Sequence, residues 1–376
     1  MKFTAGMAVY DNPPAFYESM RARFTAMSLL HQHPMVDEII IVDNHPVQGN
    51  PLQDLATSSN GQIRYIPMSN PVGTAAPRNR IFAEAKNPYV AVLDPHVLLY
   101  PDTFPALAAF YDEYGLDCPD VLHGPMVTER KGRVYAHHMN DQWRCQMWGT
   151  WGRAWINPDG IYFSCVTLDE RTLHYRTLNM EGEQQRINGR DLGLPMEMEW
   201  PCHEKKLEGF GCREVQSHND PFLIPGHGMG FFACRRDDWL PFHPDCRGFG
   251  GEEMTTAVRF RQAGRQAWCV PGAQWWHDFH RPFGGGTPYR LTTWDKARNY
   301  VLEFNRLGLD PTPIRTEFNM SVIPESEWRM ILAGKVWPDK LPDGVNPKTF
   351  CATPELAHEL QLREKRKPLA KHELGK

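Results

Sequence analysis

No run of about 18 apolar residues occurs in this sequence, so no membrane-spanning helix is expected. The nine cysteines include no Cys-x-x-Cys pair, which argues against a zinc knuckle and a disulfide framework and points to a reducing compartment. Charge of one sign is also lacking. Forty-one Lys and Arg stand against 45 Asp and Glu, a net charge of -4, leaving no global basic footprint for nucleic acid or an anionic membrane. The segment Met1–Tyr10 carries one charge and a short apolar run, without the longer apolar core and small-residue cleavage site of a signal peptide. It reads as a first strand, and the expectation is a cytoplasmic protein of a bacterium or of a phage-infected host.

Turns, in contrast, are plentiful. Thirty-two prolines, 30 glycines and a mean hydropathy of -0.52 describe a loop-rich globular chain whose loops are free to carry a site. Residues 13–34 place Phe16, Met20, Phe24, Met27 and Leu30 at helical spacing, which predicts a helix with that face turned to a core. Continuous apolar runs at 38–44 and 89–93 read as buried strands, with a shorter strand over 62–67 and an Ala-rich helix after Gly73. Strand, helix, strand, strand, helix, strand over the first hundred residues predicts an α/β fold with a mostly parallel central sheet flanked by helices. Periodicity then weakens over 116–223, which reads as a long insertion. Regular signals return with a strand after Gly230, a helix from Glu252 to Ala263, a strand over 266–270 and a helix over 292–307. The tryptophans at 143, 148, 151 and 155 form either a stacking platform or a satellite core under a long loop.

The run Tyr89-Val-Ala-Val-Leu-Asp-Pro-His96 ends a buried strand with a hard oxygen donor, a turn-former and an imidazole. At the carboxyl end of a strand in an open α/β sheet, that combination suits a metal site, though Asp and Pro also mark ordinary turns. Other segments extend the pattern. Asn70-Pro-Val-Gly73 with Arg78-Asn79, Phe249-Gly-Gly-Glu-Glu253, Phe260-Arg-Gln-Ala-Gly264 and Trp276-His-Asp-Phe-His-Arg-Pro282 follow in order. Together they resemble the catalytic domain of polypeptide N-acetylgalactosaminyltransferases and their bacterial and phage relatives, which are retaining glycosyltransferases of GT-A fold. The resemblance covers residues 1–110 and 225–310. It divides a catalytic domain over 1–310 into a nucleotide-binding half, the 116–223 insertion and an acceptor and donor-sugar half, followed by an extension over 311–376 with a basic tail.

The resemblance implies a metal-dependent enzyme with a UDP-sugar donor. Asp94, His96 and His277 match the ligands of Mn²⁺ (or Mg²⁺); without the resemblance, His277 beside two tryptophans reads as a packed core histidine. Tyr10 and Asp43 lie where the family frames the uridine, Arg78 matches an arginine that meets the nucleotide, and Arg281 one that meets the diphosphate. Glu252, after Gly250 and Gly251, matches the acid that holds donor-sugar hydroxyls. Phe249 and Glu253 depart from the pattern, standing where the family has tryptophan and asparagine. Tyr289, in a Gly-rich stretch, matches a lid closing over the donor. The acceptor is expected to be macromolecular: either a hydroxymethyl-pyrimidine of modified DNA or a protein Ser or Thr. The alternatives are a saccharide acceptor, a non-catalytic sugar- or nucleotide-binding relative, and a metal-dependent hydrolase.

Overall fold

The computed structural model of the chain describes residues 1–10, 17–44, 50–68, 73–127, 134–144, 146–158, 160–165, 176–178, 184–185, 211, 213–215, 220–278, 293–318, 328–329 and 332. Strands β1 (Phe3–Val9), β2 (Val36–Asp43), β3 (Ile63–Pro67) and β4 (Tyr89–Leu93) form a parallel block in the order β3-β2-β1-β4. Helices α1 (Tyr17–Leu30), α2 (Pro51–Ser58) and α3 (Ala75–Glu84) supply the crossovers. The chain continues through β5 (Val97–Leu99), α4 (Thr103–Tyr114), β6 (Val121–His123), β7 (Met126–Val127) and β8 (Val134–Ala136). Next come β9 (His138–Arg144), β10 (Met147–Asn157), β11 (Gly160–Cys165), β12 (Arg176–Leu178), β13 (Gln184–Gln185), β14 (Arg213–Glu214), β15 (Phe222–Leu223) and β16 (Phe231–Arg235). Helix α5 (Glu253–Gln262), β17 (Ala267–Cys269), β18 (Trp275–His277), α6 (Thr293–Leu307) and α7 (Thr312–Phe318) complete the described elements.

Beyond β4 the central sheet runs β16-β6-β17-β15, antiparallel at β4·β16, β16·β6 and β17·β15 and parallel at β6·β17. Because β6 and β15 lie within 116–223, the two ends of that stretch belong to the central sheet. Its middle forms a second sheet around β10.

Side-chain alternation divides the core between the sheet's two faces. Phe3, Ala5 and Met7 of β1, with Ile39 and Ile41 of β2, meet α1, α2 and α4 on one side. Ile40, Val42, Val90 and Val92 face α3 and α5 on the other. Gly6 lets α3 approach closely, since a Cβ there would stand 2.1 Å from the Ile81 side chain.

Helix α1 forms where the spacing predicts it, but with the opposite face inward. Ala22, Ala26 and Leu29 are fully buried, whereas Met20, Phe24 and Met27 are 43%, 62% and 45% exposed. Small side chains bring the helix backbone close to the sheet, and the larger apolar residues are left outside.

Parallel register aligns the carboxyl ends of the first strands. Val9 pairs with Asp43 and Met7 with Leu93, so Tyr10, Asp43 and Asp94 emerge along one sheet edge. In open α/β sheets this edge is where ligands bind. A small sheet in the order β5-β18-β7-β8 stands beside it.

Candidate active site

At the end of β4 the Asp94 amide donates to the Gly230 carbonyl at 2.9 Å, and the Val97 amide closes a turn onto the Asp94 carbonyl at 3.1 Å. That turn carries His96. Strand β5 then pairs antiparallel with β18, placing His277 opposite Val97. The result joins residues 181 apart in sequence: Nε2 of His96 and Nε2 of His277 lie 3.2 Å from each other. A carboxylate oxygen of Asp94 stands 3.9 Å from His96 Nε2, and one donor atom from each of the three residues fits within 4.8 Å.

Two imidazole nitrogens held about 2.1 Å from a common cation are roughly 3.0–3.4 Å apart, so the observed spacing suits a shared ion. Two nitrogens and one oxygen form a borderline donor set compatible with a divalent transition metal. Burial pushes the Asp94 pKa up, but the Arg78 guanidinium and then the two imidazoles outweigh it and hold the group below its ordinary value. Asp94 is therefore an anion.

Arg78 is not on an exposed helix face. It is 2% exposed, and its Nη2 donates to Asp94 Oδ1 at 2.8 Å and to the Met229 carbonyl at 3.3 Å. Its Nη1 lies 3.9 Å from Glu252 Oε1, so one guanidinium spans the two carboxylates. Glu252, also 2% exposed, accepts from the Thr74 hydroxyl and from the Gly250 amide, the latter at 2.9 Å. Burial raises its pKa despite Arg78 and these hydrogen bonds. The neighbouring Glu253 is pushed up to about 7, first by burial and second by the charge of Glu252; its Oε2 is buried without a hydrogen-bond partner.

Backbone contacts set this half of the site. Gly73 forms a parallel bridge with Gly248, and the Thr74 amide donates to the Gly248 carbonyl at 2.9 Å. Gly73 has φ +114°, and a Cβ there would stand 2.2 Å from the Gly248 nitrogen. Gly251 has φ +94°, and a Cβ there would reach 3.0 Å from Asn299 Cβ.

At the carboxyl end of β2 Asp43 is fully buried, accepting from Asn50 Nδ2 at 2.9 Å and from the Tyr65 hydroxyl. Tyr10 is partly buried, and burial raises its hydroxyl pKa. Asn50, Tyr65 and Thr74 were not singled out from sequence, since each acts through a fold contact and belongs to no motif. Asn50 had one local signal: it precedes Pro51 as a helix N-cap, accepting from the Leu52 amide at 2.9 Å. Arg281 and Tyr289 lie outside the described residues. Of the four tryptophans, Trp143 stacks on Trp148 at 6.1 Å and 15°, and both pack against Tyr300 and Phe304 of α6 in a third buried cluster. Trp155 is 3% exposed. Trp143 and Trp148 thus take the satellite-core arrangement, whereas Trp151 also packs against Trp275 of the main core.

Residues 14–166 match the model of glycosyl transferase family 2. No curated protein matches the sequence. Among solved structures, GalNAc-T7 with UDP, GalNAc and Mn²⁺ is similar at 14% identity and a TM-score of 0.52, over 81% of this chain and 48% of that one. The chain thus spans about half the length of that relative. TarS residues 1–349 of S. aureus, in complex with UDP-GlcNAc, match at 12% identity and a TM-score of 0.46, over 89% of this chain and 79% of that one. No described helix is long and apolar enough to cross a membrane. With the family 2 match confined to residues 14–166 and this sheet architecture, the chain has a GT-A fold and resembles GalNAc-T7 in structure.

Proposed function

We propose that the protein is a metal-dependent glycosyltransferase that moves a sugar from a UDP-sugar to a hydroxyl of a macromolecular acceptor. The observation that carries this reading is the convergence of Asp94, His96 and His277, with Arg78 connecting Asp94 to Glu252. A divalent cation held by those three ligands would supply Lewis-acid stabilisation of the charge developing on the departing diphosphate. Glu252, fixed by Thr74 and Gly250, would accept hydrogen bonds from donor-sugar hydroxyls. Asp43 and Tyr10 would frame the uridine, Arg281 would meet the diphosphate, and Tyr289 would close over the donor to exclude water.

On the retaining reading, the acceptor hydroxyl attacks from the face the diphosphate leaves, and a phosphate oxygen takes its proton. A second reading rests on Glu253, a buried carboxyl next to Glu252 in sequence whose Oε2 has no hydrogen-bond partner and whose pKa burial and the charge of Glu252 push up, the direction that suits a general base. Attack assisted by that base from the opposite face would invert the anomeric centre. As for the acceptor, Trp143 and Trp148 pack against α6, which lessens the support that these two rings give to a wedge for a flipped DNA base. That leaves a protein Ser or Thr as the preferred acceptor and modified DNA as the other.

The test is incubation with Mn²⁺, a panel of UDP-sugars, and either host protein or hydroxymethylated DNA. Mass spectrometry reads the acceptor, and NMR reads the anomeric configuration of the product. A sugar adduct that disappears in Asp94→Ala and in excess EDTA is expected. Transfer undiminished by EDTA overturns the metal-dependent reading.

A further inference from the structure

Helix α1 exposes its largest apolar side chains and buries a cation. Phe24 is 62% exposed while Arg21, on a neighbouring face of the same helix, is 8% exposed. Close packing of Ala22 and Ala26 on the sheet accounts for the exposed Phe24 but not for the buried Arg21, and a buried ion pair is a weak source of stability because desolvation offsets its attraction. What Arg21 touches supplies a reason. Its Nη2 donates to the Asp278 carbonyl at 2.7 Å and lies 2.5 Å from Asp278 Oδ2. Asp278 directly follows His277, and its amide donates to the His96 carbonyl at 3.2 Å.

One turn further along α1, the hydroxyl of Thr25 lies 3.0 Å from the Pro95 carbonyl and 2.9 Å from the Val97 carbonyl, the residues on either side of His96. Residues four apart share a helix face. One face of α1 therefore grips the backbone on both sides of His96 and immediately after His277. The Asp278 amide ties those two grips together.

We propose that Arg21 and Thr25 are positioning residues that set the two imidazoles at the spacing a shared cation requires, with the Arg21–Asp278 pair as the principal clamp. This rests on the reading of Asp94, His96 and His277 as a metal site. Arg21 touches neither cation nor substrate and acts through Asp278. Removing a group that orients metal ligands ordinarily weakens metal binding by about 10- to 100-fold.

The experiment titrates the full chain with Mn²⁺, following free Mn²⁺ by EPR, for wild type, His277→Ala, Arg21→Met, Arg21→Lys and Asp278→Asn, with thermal unfolding in EDTA alongside. His277→Ala is expected to abolish tight binding. Arg21→Met and Asp278→Asn are expected to weaken it about 10- to 100-fold with a metal-free melting temperature near that of wild type, and Arg21→Lys to recover part of the loss. Co²⁺ substitution gives a second readout. The visible d–d spectrum of the Asp278→Asn complex, recorded at saturating metal, is expected to shift, because the two imidazoles no longer meet the ion at the same angles.

Unchanged affinity and an unchanged Co²⁺ spectrum in Asp278→Asn, together with His277→Ala losing metal, overturn the clamp and keep the site. Binding that His277→Ala leaves intact overturns the site itself. If Arg21→Met unfolds, Arg21→Lys and Asp278→Asn carry the test together, the first losing the guanidinium that reaches both the Asp278 carbonyl and Oδ2 and the second the ionic contact.

Discussion

Arg78 shows how one buried side chain can set the chemistry of two others. Its guanidinium gives Nη2 to Asp94 and approaches Glu252 with Nη1, so it compensates the Asp94 anion and restrains the Glu252 carboxyl. Arg78→Met is expected to cost about 2 kcal/mol of stability, the scale of a hydrogen bond to a charged group. Water takes over part of the compensation at Asp94, whose side chain is 26% exposed, but not at Glu252, which is 2% exposed, so the loss is expected to be at least that large. Transfer is expected to fall by about 100-fold or more through misplacement of both carboxylates. Arg78→Lys, which keeps the charge and loses the fork, is expected to restore stability more than rate. Thermal unfolding and single-turnover transfer measured on the same preparations check the split.

Glu253 distinguishes the two stereochemical readings. With retention, Glu253→Gln keeps the shape of the site, and turnover is expected to fall less than about tenfold; loss of a general base costs about 100- to 10,000-fold. The sequence made Asp94 and His96 legible because they are two residues apart on one strand end. Asn50 and Tyr65 were not legible, since their joint hold on Asp43 exists only after α2 and β3 have folded around the end of β2.

Elements were easier to read than their orientation. Strands β1, β2 and β4 were evident from apolar runs ending in polar residues, and α6 from its stripe of Ala297, Val301 and Phe304, all buried. For α1 the periodicity was correct and the inward face was not. A stripe of large apolar residues competed with one of Ala22 and Ala26, and close approach to the sheet favours small side chains. The weak periodicity of 116–223 has a physical cause as well. Strand β10 is joined to β9 and β11 and also presents Trp148 to α6, so its residues serve several partners and show no single alternation. Gly73 tests the join between α3 and the Gly248–Glu252 segment. Gly73→Ala brings a Cβ against fixed backbone atoms of Gly248 in a left-handed conformation, and is expected to cost about 2–3 kcal/mol in thermal unfolding. Transfer is expected to fall more steeply than stability, because Thr74, the next residue, holds Glu252. A Gly73→Ala protein with normal transfer would remove the backbone bridge from the account of the site.

For the whole molecule, the balance between core and site depends on pH through histidines that the site does not use. His123, His137, His138 and His227 are all 0% exposed, around the junction of the central sheet with the strands of the second sheet. Burial depresses their pKa values to about 3, 4, 3 and 4, so all four are neutral in the folded protein at pH 7. In the unfolded chain each titrates near 6.5. The folded values are the lower ones, so the unfolded state binds more protons as acid is added. Their contribution to stability is therefore complete above about pH 6.5 and declines as the pH falls toward 3–4. At pH 5 each neutral histidine forgoes about 2 kcal/mol relative to pH 7, and a domain's whole stability is only about 5–15 kcal/mol. The melting temperature of the metal-free protein is accordingly expected to be level from pH 8 to 7 and to fall as the pH drops below 6. Replacing one of the four by glutamine is expected to flatten that slope by about one proton while lowering the plateau at pH 8. A melting temperature unchanged between pH 7 and 5 would mean that these side chains are hydrated or protonated in the folded state, contrary to their complete burial.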